Sequence, residues 1–270
     1  MQFGGPIDML PLPGIFAATF VLVMLSVECG WRLGRARWRQ SEPEMDAPVG
    51  TMVAASLGLL AFILAFTFGM AAARFDTRRE LVLEEANALG TAYLRASLLE
   101  TRGGEIQDLL RTYLDVRLDA VRTGAVAEGI RQSEVLHGQL WAEAIVVARL
   151  NPESTTVSLF IQSLNEVIDL HTKRIASGIR MRIPGTIWIG LFTVASFSLG
   201  AVGYQVGLSG SRRSLAIMAV AVTFSTVIWL IADLDRPQEG SLTVSQQALV
   251  EARQGMNPTL NSGTAADQVR

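Results

Sequence analysis

Four stretches of this 270-residue chain carry no charged side chain: Met9 to Val27, Val49 to Ala73, Ile183 to Ser211 and Ser214 to Ala232. Each approaches or exceeds the ~20 residues with which a helix crosses ~30 Å of hydrocarbon. Half of all residues are apolar, a balance that suits an ordinary soluble domain poorly unless the apolar residues are gathered into such spans. The expected fold class is therefore an all-α integral membrane protein. It has four transmembrane helices, with an antiparallel four-helix extramembrane bundle inserted between helices two and three.

The bundle is read from the stretch between the second and third runs. Phe75, Val82, Leu83, Ala86, Leu89, Tyr93 and Leu94 recur at helical spacing and carry the second span outward as one helix to about Leu99. Thr101-Arg-Gly-Gly104 breaks it. Ile106, Leu109, Leu110, Tyr113, Leu114 and Val121 mark a second helix, and Ser133 with Glu134 opens a third through Leu136, Leu140, Trp141, Ile145 and Val146. Asn151-Pro152-Glu153 has the order of a cap, a first-turn proline and an acid matched to the helix dipole, so a fourth helix is expected from there through Leu159, Leu164, Ile168 and Ile175. Pro184 marks its junction with the third span. The domains that follow are 1–74, with two spans and a basic connecting loop over 31–48; 75–182, the bundle; 183–236, the last two spans; and 237–270, an arm over Ser241 to Val250 and a disordered tail.

A net charge of −2 leaves no basic field for nucleic acid. The single cysteine, Cys29, has no disulfide partner, and His137 and His171 alone close no metal-ligand set. No Gly-rich phosphate loop and no partnered nucleophile is present, so neither a cofactor nor an enzymatic activity is expected. MQFGGPIDML lacks a positive n-region, and Val27-Glu28-Cys29 lacks a lipoprotein cleavage box, so the first span is expected to remain as an anchor. Arg32, Arg35, Arg37, Arg39, Arg212 and Arg213 crowd the two short loops. By the positive-inside rule these loops face the cytoplasm and the bundle faces outward, although Arg74, Arg78, Arg79, Lys173, Arg174, Arg180 and Arg182 weigh the other way.

Several polar groups are candidate sites. Chain parity brings Asp233, Asp235 and Arg236 level with Arg74, Arg78 and Arg79, where carboxylates met by arginines would form an ionic collar; a plain stop signal at the exit of the span, closed by Pro237, is the alternative. Glu28 lies inside the first span, a costly place for an acid unless it snorkels to Arg32 or Arg35. In the bundle, Glu84, Glu85 and Asn87 on the first helix and Asn165, Glu166, Asp169 and His171 on the last read either as an oxygen-rich cation site or, more commonly, as a hydrogen-bond network between two helices. On the second span Ala54, Gly58, Ala61, Ala65, Gly69 and Ala73 form a small-residue stripe suited to close packing, and Gly203 with Gly207 forms another on the third. Beside the first stripe Phe62, Phe66 and Met70 stand four residues apart, either as the hydrophobic constriction of a pore or as the commoner lipid-facing or core row.

ECGWRLGR (28–35), LAFTFGMAAARFDTRRELVLEEANALGTAYLRASLL (64–99), LNEVIDLH (164–171), DLDRP (233–237) and VSQQ (244–247) resemble the bacterial four-transmembrane family often labelled bestrophin-like. The resemblance covers nearly the whole chain. Through the family's distant similarity to bestrophins, it implies an oligomeric, pentamer-like anion channel of the bacterial inner membrane, with Phe62, Phe66 and Met70 as its neck. Its expected partners are the lipid bilayer, further copies of the chain and an inorganic ion. The bestrophin calcium clasp has no counterpart beyond Asp233 and Asp235. A partner-binding scaffold or sensor is the alternative function.

Overall fold

The computed structural model describes residues 10–39, 46–209, 215–236 and 240–257. Every regular element among the described residues is helical: α1 (Leu12–Trp38), α2 (Asp46–Ala96), α3 (Gly103–Thr123), α4 (Val126–Leu150), α5 (Thr155–Ile175), a π-helical turn (Ala176–Arg180), α6 (Gly185–Leu208), α7 (Leu215–Asp235) and α8 (Gln247–Gly255). Four of them, α1, α2, α6 and α7, are long and apolar enough to cross a membrane. Arg212, Arg213, Pro237, the N-terminal residues before Leu10 and the tail beyond Asn257 lie outside the described residues, so the expectations placed on them have no structural counterpart.

The chain divides into two compact units, one of Met1–Phe75 with Ile179–Thr243 and one of Asp76–Gly178 with Val244–Arg270. In the first, the core is made by Ile15, Val23 and Val27 of α1, Leu60 and Ala71 of α2, Trp188, Leu191, Ala195 and Leu199 of α6, and Phe224, Ile228 and Ile231 of α7. Glycine sets its closest approach. A methyl group built at Gly30 would stand 1.9 Å from the carbonyl oxygen of Gly200, at Gly34 2.2 Å from that of Tyr204, and at Gly203 2.1 Å from that of Val27. At Gly207 it would stand 2.5 Å from the oxygen of Trp31. The backbones of α1 and α6 therefore touch over two turns, as small residues permit in lipid, where helices gain nothing by hiding apolar surface from one another. The stripe Ala54, Gly58, Ala61, Ala65, Gly69 and Ala73 on α2, expected to pack in the same way, is instead exposed along its length. Nothing lies within 4 Å of a side chain added at Gly58 or Gly69.

In the second unit, Leu81, Val82, Ala88, Leu89 and Ala92 of α2 meet Ile106, Leu110 and Leu114 of α3, Leu140, Ala144 and Val147 of α4, and Phe160, Leu164 and Val167 of α5. Leu249 and Met256 from α8 and the residue after it complete this core. The arm expected as an extended segment over 241–250 is thus helical from Gln247 onward. Its end is fixed where the Tyr93 hydroxyl and Arg111 Nε both donate to the carbonyl oxygen of Met256, at 2.9 and 3.1 Å.

Three boundaries differ from expectation. α1 continues to Trp38, because Glu28 pairs with Arg32 one turn on at 2.7 Å and Arg35 lies over the Trp38 ring at 4.6 Å, so the expected loop over 31–48 is helical at both ends. α4 starts at Val126 rather than Ser133, because Gly124, at φ 74°, ends α3 in a conformation that only glycine adopts cheaply, and the Ser133 hydroxyl donates back to Gly129. Asn151 closes α4, while the cap of α5 is Ser154, whose hydroxyl accepts from the Val157 N–H at 3.4 Å.

Gly203→Leu should drive a side chain into the Val27 carbonyl and lower the melting temperature of the purified protein, with an overpacking cost of about 1–3 kcal/mol or more. Gly190→Ala, which meets nothing within 4 Å, serves as the control. Equal melting of the two variants would show that α1 and α6 are not in backbone contact.

Candidate functional site

Two polar centres are built from buried charge. In the second unit the centre is Glu85, fully buried on the inner face of α2 among Val82, Ala86 and Leu89. Arg174, in the last turn of α5, donates to its Oε2, and Arg117 on α3 stands 3.2 Å from its Oε1. The Tyr113 hydroxyl donates to the same Oε1 at 2.9 Å and lies 3.1 Å from Nδ1 of His171. The His137 ring of α4 packs against both, tilted to Tyr113 with centroids 4.9 Å apart and edge to face with His171 at 4.7 Å. Arg174 also donates to Oε1 of Gln246, just ahead of α8, at 3.1 Å. One carboxylate thereby gathers α2, α3, α5 and the start of α8, with α4 packed against its partners.

Burial alone would push the Glu85 carboxyl up. The charges of Arg174 and Arg117, with hydrogen bonds from Arg174 and Tyr113, outweigh it and hold the group below the ordinary carboxylate range. The Tyr113 phenol moves well above its usual value, through burial and then the negative charge of Glu85. His137 is pushed down to about 4 by burial and by Arg117. His171 is pushed down to about 3, again by burial first and then by Arg117 and His137. Both imidazoles are neutral near pH 7. The centre holds its charges in one fixed arrangement, which suits it to tie helices together or to accept a ligand at the rings.

Of the seven bundle residues singled out from sequence, the structure brings Glu85 and His171 together; Glu84, Asn87, Asn165, Glu166 and Asp169 are all exposed. Asn165 and Asp169 do share a face, but it is the solvent face, so the oxygen-rich cation site is not formed there. Tyr113, Arg117, His137, Arg174 and Gln246 were missed as members. For His137 the signal was present: it falls in the register of Ser133, Leu136, Leu140 and Ala144, the inward face of α4.

In the first unit, the end of α7 turns three polar side chains inward. Asp233, fully buried, accepts from the Ser241 N–H at 3.0 Å and its hydroxyl at 2.6 Å. Asp235 accepts from the Ile183 N–H at 3.0 Å and from Arg182 Nε at 3.2 Å, with Arg74 3.8 Å away. Arg236 donates to the carbonyl oxygen of Leu10 at 2.6 Å. Ion pairs join Arg74, Asp235 and Arg182, whereas Asp233 and Arg236 fasten backbone; Arg78 is buried in the second unit and Arg79 is exposed.

Glu28 snorkels to Arg32, as its spacing of four allows. The apolar row on α2 divides: Phe62 and Phe66 are 68% and 60% exposed, whereas Met70 is half-buried against the first-unit core. Two steps of four residues turn about 80° round a helix, which carries the third member off the face of the first.

A family model described as a Bestrophin-like domain matches residues 18–249. No curated protein and no solved structure matches the chain.

Glu85→Ala should cost about 3–5 kcal/mol of stability, because it leaves Arg117 and Arg174 facing each other without a counter-ion; a loss within 0.5 kcal/mol of zero, on the order of a surface substitution, would contradict the network. Acid should act in the same direction. The folded histidines titrate at about 4 and about 3 against 6.5 for a free ring, so the unfolded chain binds protons that the folded one refuses, and stability is full above 6.5 and falls as pH drops toward 4. Glu85, held below its ordinary value, adds to the loss at the acid end. Chemical denaturation midpoints that stay level from pH 7.5 to 4.5 would refute this.

Proposed function

Because this chain belongs to the Bestrophin-like family, we propose that it is a membrane protein whose copies assemble into an oligomeric ring and conduct an inorganic anion, with Phe62 and Phe66 forming a hydrophobic constriction on α2. In this reading α1, α2, α6 and α7 are the four spans, the second unit is a bundle inserted between the second and third, and the protein lies in the bacterial inner membrane. One observation carries the proposal: within an apolar span, Ala54, Gly58, Phe62, Phe66 and Gly69 are exposed, and among the described residues nothing lies within 4 Å of a side chain added at Gly58 or Gly69. Small residues let neighbouring helices approach closely, and bulky apolar rings beside them would narrow an axis and gate it by dewetting. The basic residues Arg32, Arg35, Arg37 and Arg39 at the end of α1 support a cytoplasmic location for that end and an outward-facing bundle. No catalytic step is assigned to the chain.

A non-transporting scaffold is favoured by a different observation, the exposed apolar row Trp141, Ile145, Val146 and Leu150 on α4, since apolar surface of this kind outside lipid marks partner binding.

Native mass spectrometry of the protein released from lipid nanodiscs should give a closed ring, and chloride flux from liposomes should rise several-fold in Phe66→Ala as the constriction widens. A monomer removes the ring. A ring whose flux equals that of empty liposomes, in wild type and variant alike, removes the pore and leaves the scaffold.

A further inference from the structure

The Glu85 centre leaves two ring nitrogens unused. Hydrogen-bond direction can be followed from the carboxylate outward. Glu85 is ionised and can only accept, so the Tyr113 hydroxyl spends its one hydrogen on Oε1. Its oxygen then accepts from Nδ1–H of His171. A neutral imidazole has a single N–H, so Nε2 of His171 carries a bare lone pair; that atom is buried and has no hydrogen-bond partner. Nε2 of His137 is buried and unpartnered as well. The two residues are 3% and 8% exposed, and their rings stand 4.7 Å apart at 88°. Buried ring nitrogens without partners are rare in folded proteins and call for an account.

We propose that His137 and His171 bind one late first-row transition-metal cation, of the Zn2+, Ni2+ or Cu2+ class, through the Nε2 atom of each ring.

The chemistry of the donors selects the class. Imidazole suits these metals, whereas calcium and magnesium require oxygen ligands, and the only carboxylate in the centre is already held by Arg117, Arg174 and Tyr113. With both Nε2 atoms turned to one point, a metal at ~2.0 Å from each would lie roughly 3 Å from each ring centroid, and centroids 4.7 Å apart would then correspond to an N–metal–N angle of roughly 100°. The second shell has the form that metal-ligating histidines use, in which the other ring nitrogen is pinned by a hydrogen bond that leads to a carboxylate and so fixes the tautomer. Here Tyr113 is the link. No group of three or more His, Cys, Asp or Glu suited to a metal occurs among the described residues, so the remaining positions fall to water. Arg117, cationic and close to both rings, makes the site weaker than a charge-matched one and more readily emptied. Because the site lies wholly in the second unit, it stands or falls apart from any pore.

The test uses the full chain without a histidine tag, in a Cys29→Ser background that removes the exposed thiol. The protein is stripped with chelator and titrated at pH 7.5. One equivalent of Zn2+ or Ni2+ per chain should bind and raise the melting temperature, and bound Cu2+ should show nitrogen hyperfine structure in its electron paramagnetic resonance spectrum. His137→Gln and His171→Gln should each abolish stoichiometric uptake. Tyr113→Phe, which frees the tautomer of His171 while leaving both ligands, should weaken binding 10- to 100-fold, about the cost of losing a second-shell partner. His137→Gln lies at the edge of the hydrogen-bond chain and keeps the test open should the Tyr113 variant fail to fold. No uptake by the wild type, or equal uptake by wild type and both histidine variants, overturns the proposal.

Discussion

A carboxylate without water must find all its partners within the protein, and around Glu85 that requirement organises the second unit. Removing an ionised group from water costs several kcal/mol even after relaxation, and the cost is recovered only where opposite charges and hydrogen bonds meet it together. Glu85 obtains two guanidinium groups and a phenol, each from a position that exists only when α3 and α5 lie correctly against α2. The apolar contacts of Leu89, Leu110, Leu140 and Phe160 supply the greater part of the burial, but leucines tolerate small shifts of register. A hydrogen bond of 2.9 Å tolerates far less. The network thus selects one packing of the helices among those that the apolar faces would accept.

The end of α7 solves a similar problem by another route. Asp233 accepts from a backbone N–H and a hydroxyl, and Asp235 from a backbone N–H and an arginine, with a second arginine 3.8 Å away. An N–H that precedes a proline-led helix start has no carbonyl of its own to pair with, and the Ile183 N–H, just ahead of Pro184 and α6, is such a donor. The carboxylate of Asp235 therefore completes the entry to one helix from the exit of another, while Arg236 reaches the carbonyl of Leu10 ahead of α1. The sequence DLDR is a set of fasteners for chain ends, which is why two acids and an arginine can follow so closely on a run of hydrocarbon.

Long-period features were legible in the sequence and single contacts were not. Four apolar runs and the helical spacing from Phe75 to Leu94 located α2, α6 and α7 to within a few residues and the start of α1 as well, because burial over many turns leaves a repeated mark; the charged end of α1, through Trp38, lay beyond its apolar run. Glu85 and His171 were noticed as polar groups on inward-turning helices, yet their partners were not, since Tyr113 and His137 read equally well as ordinary members of an amphipathic face. Which carboxylate lies inside is decided by one step of 100° around a helix: Glu84 is exposed and Glu85 is fully buried. Composition carries no trace of that difference. Caps failed for a related reason, as Asn151 and Ser154 both have the right chemistry and only the backbone chooses between them.

The glycines show how much a spacing leaves open. Gly30, Gly34, Gly203 and Gly207 and the stripe from Ala54 to Ala73 have the same character in sequence, with small residues three or four apart in apolar runs. The first set brings two backbones into contact; the second is exposed, with nothing among the described residues within 4 Å of a side chain added at Gly58 or Gly69. In water an exposed apolar face would be costly, but in lipid it is not, so its exposure by itself identifies no occupant. What distinguishes the α2 face is its shape. Acyl chains fill the hollow beside glycine and alanine poorly, whereas a neighbouring helix can enter it, and van der Waals contact is the main force that joins helices in a bilayer. Phe62 and Phe66 stand beside the same stripe and are exposed with it.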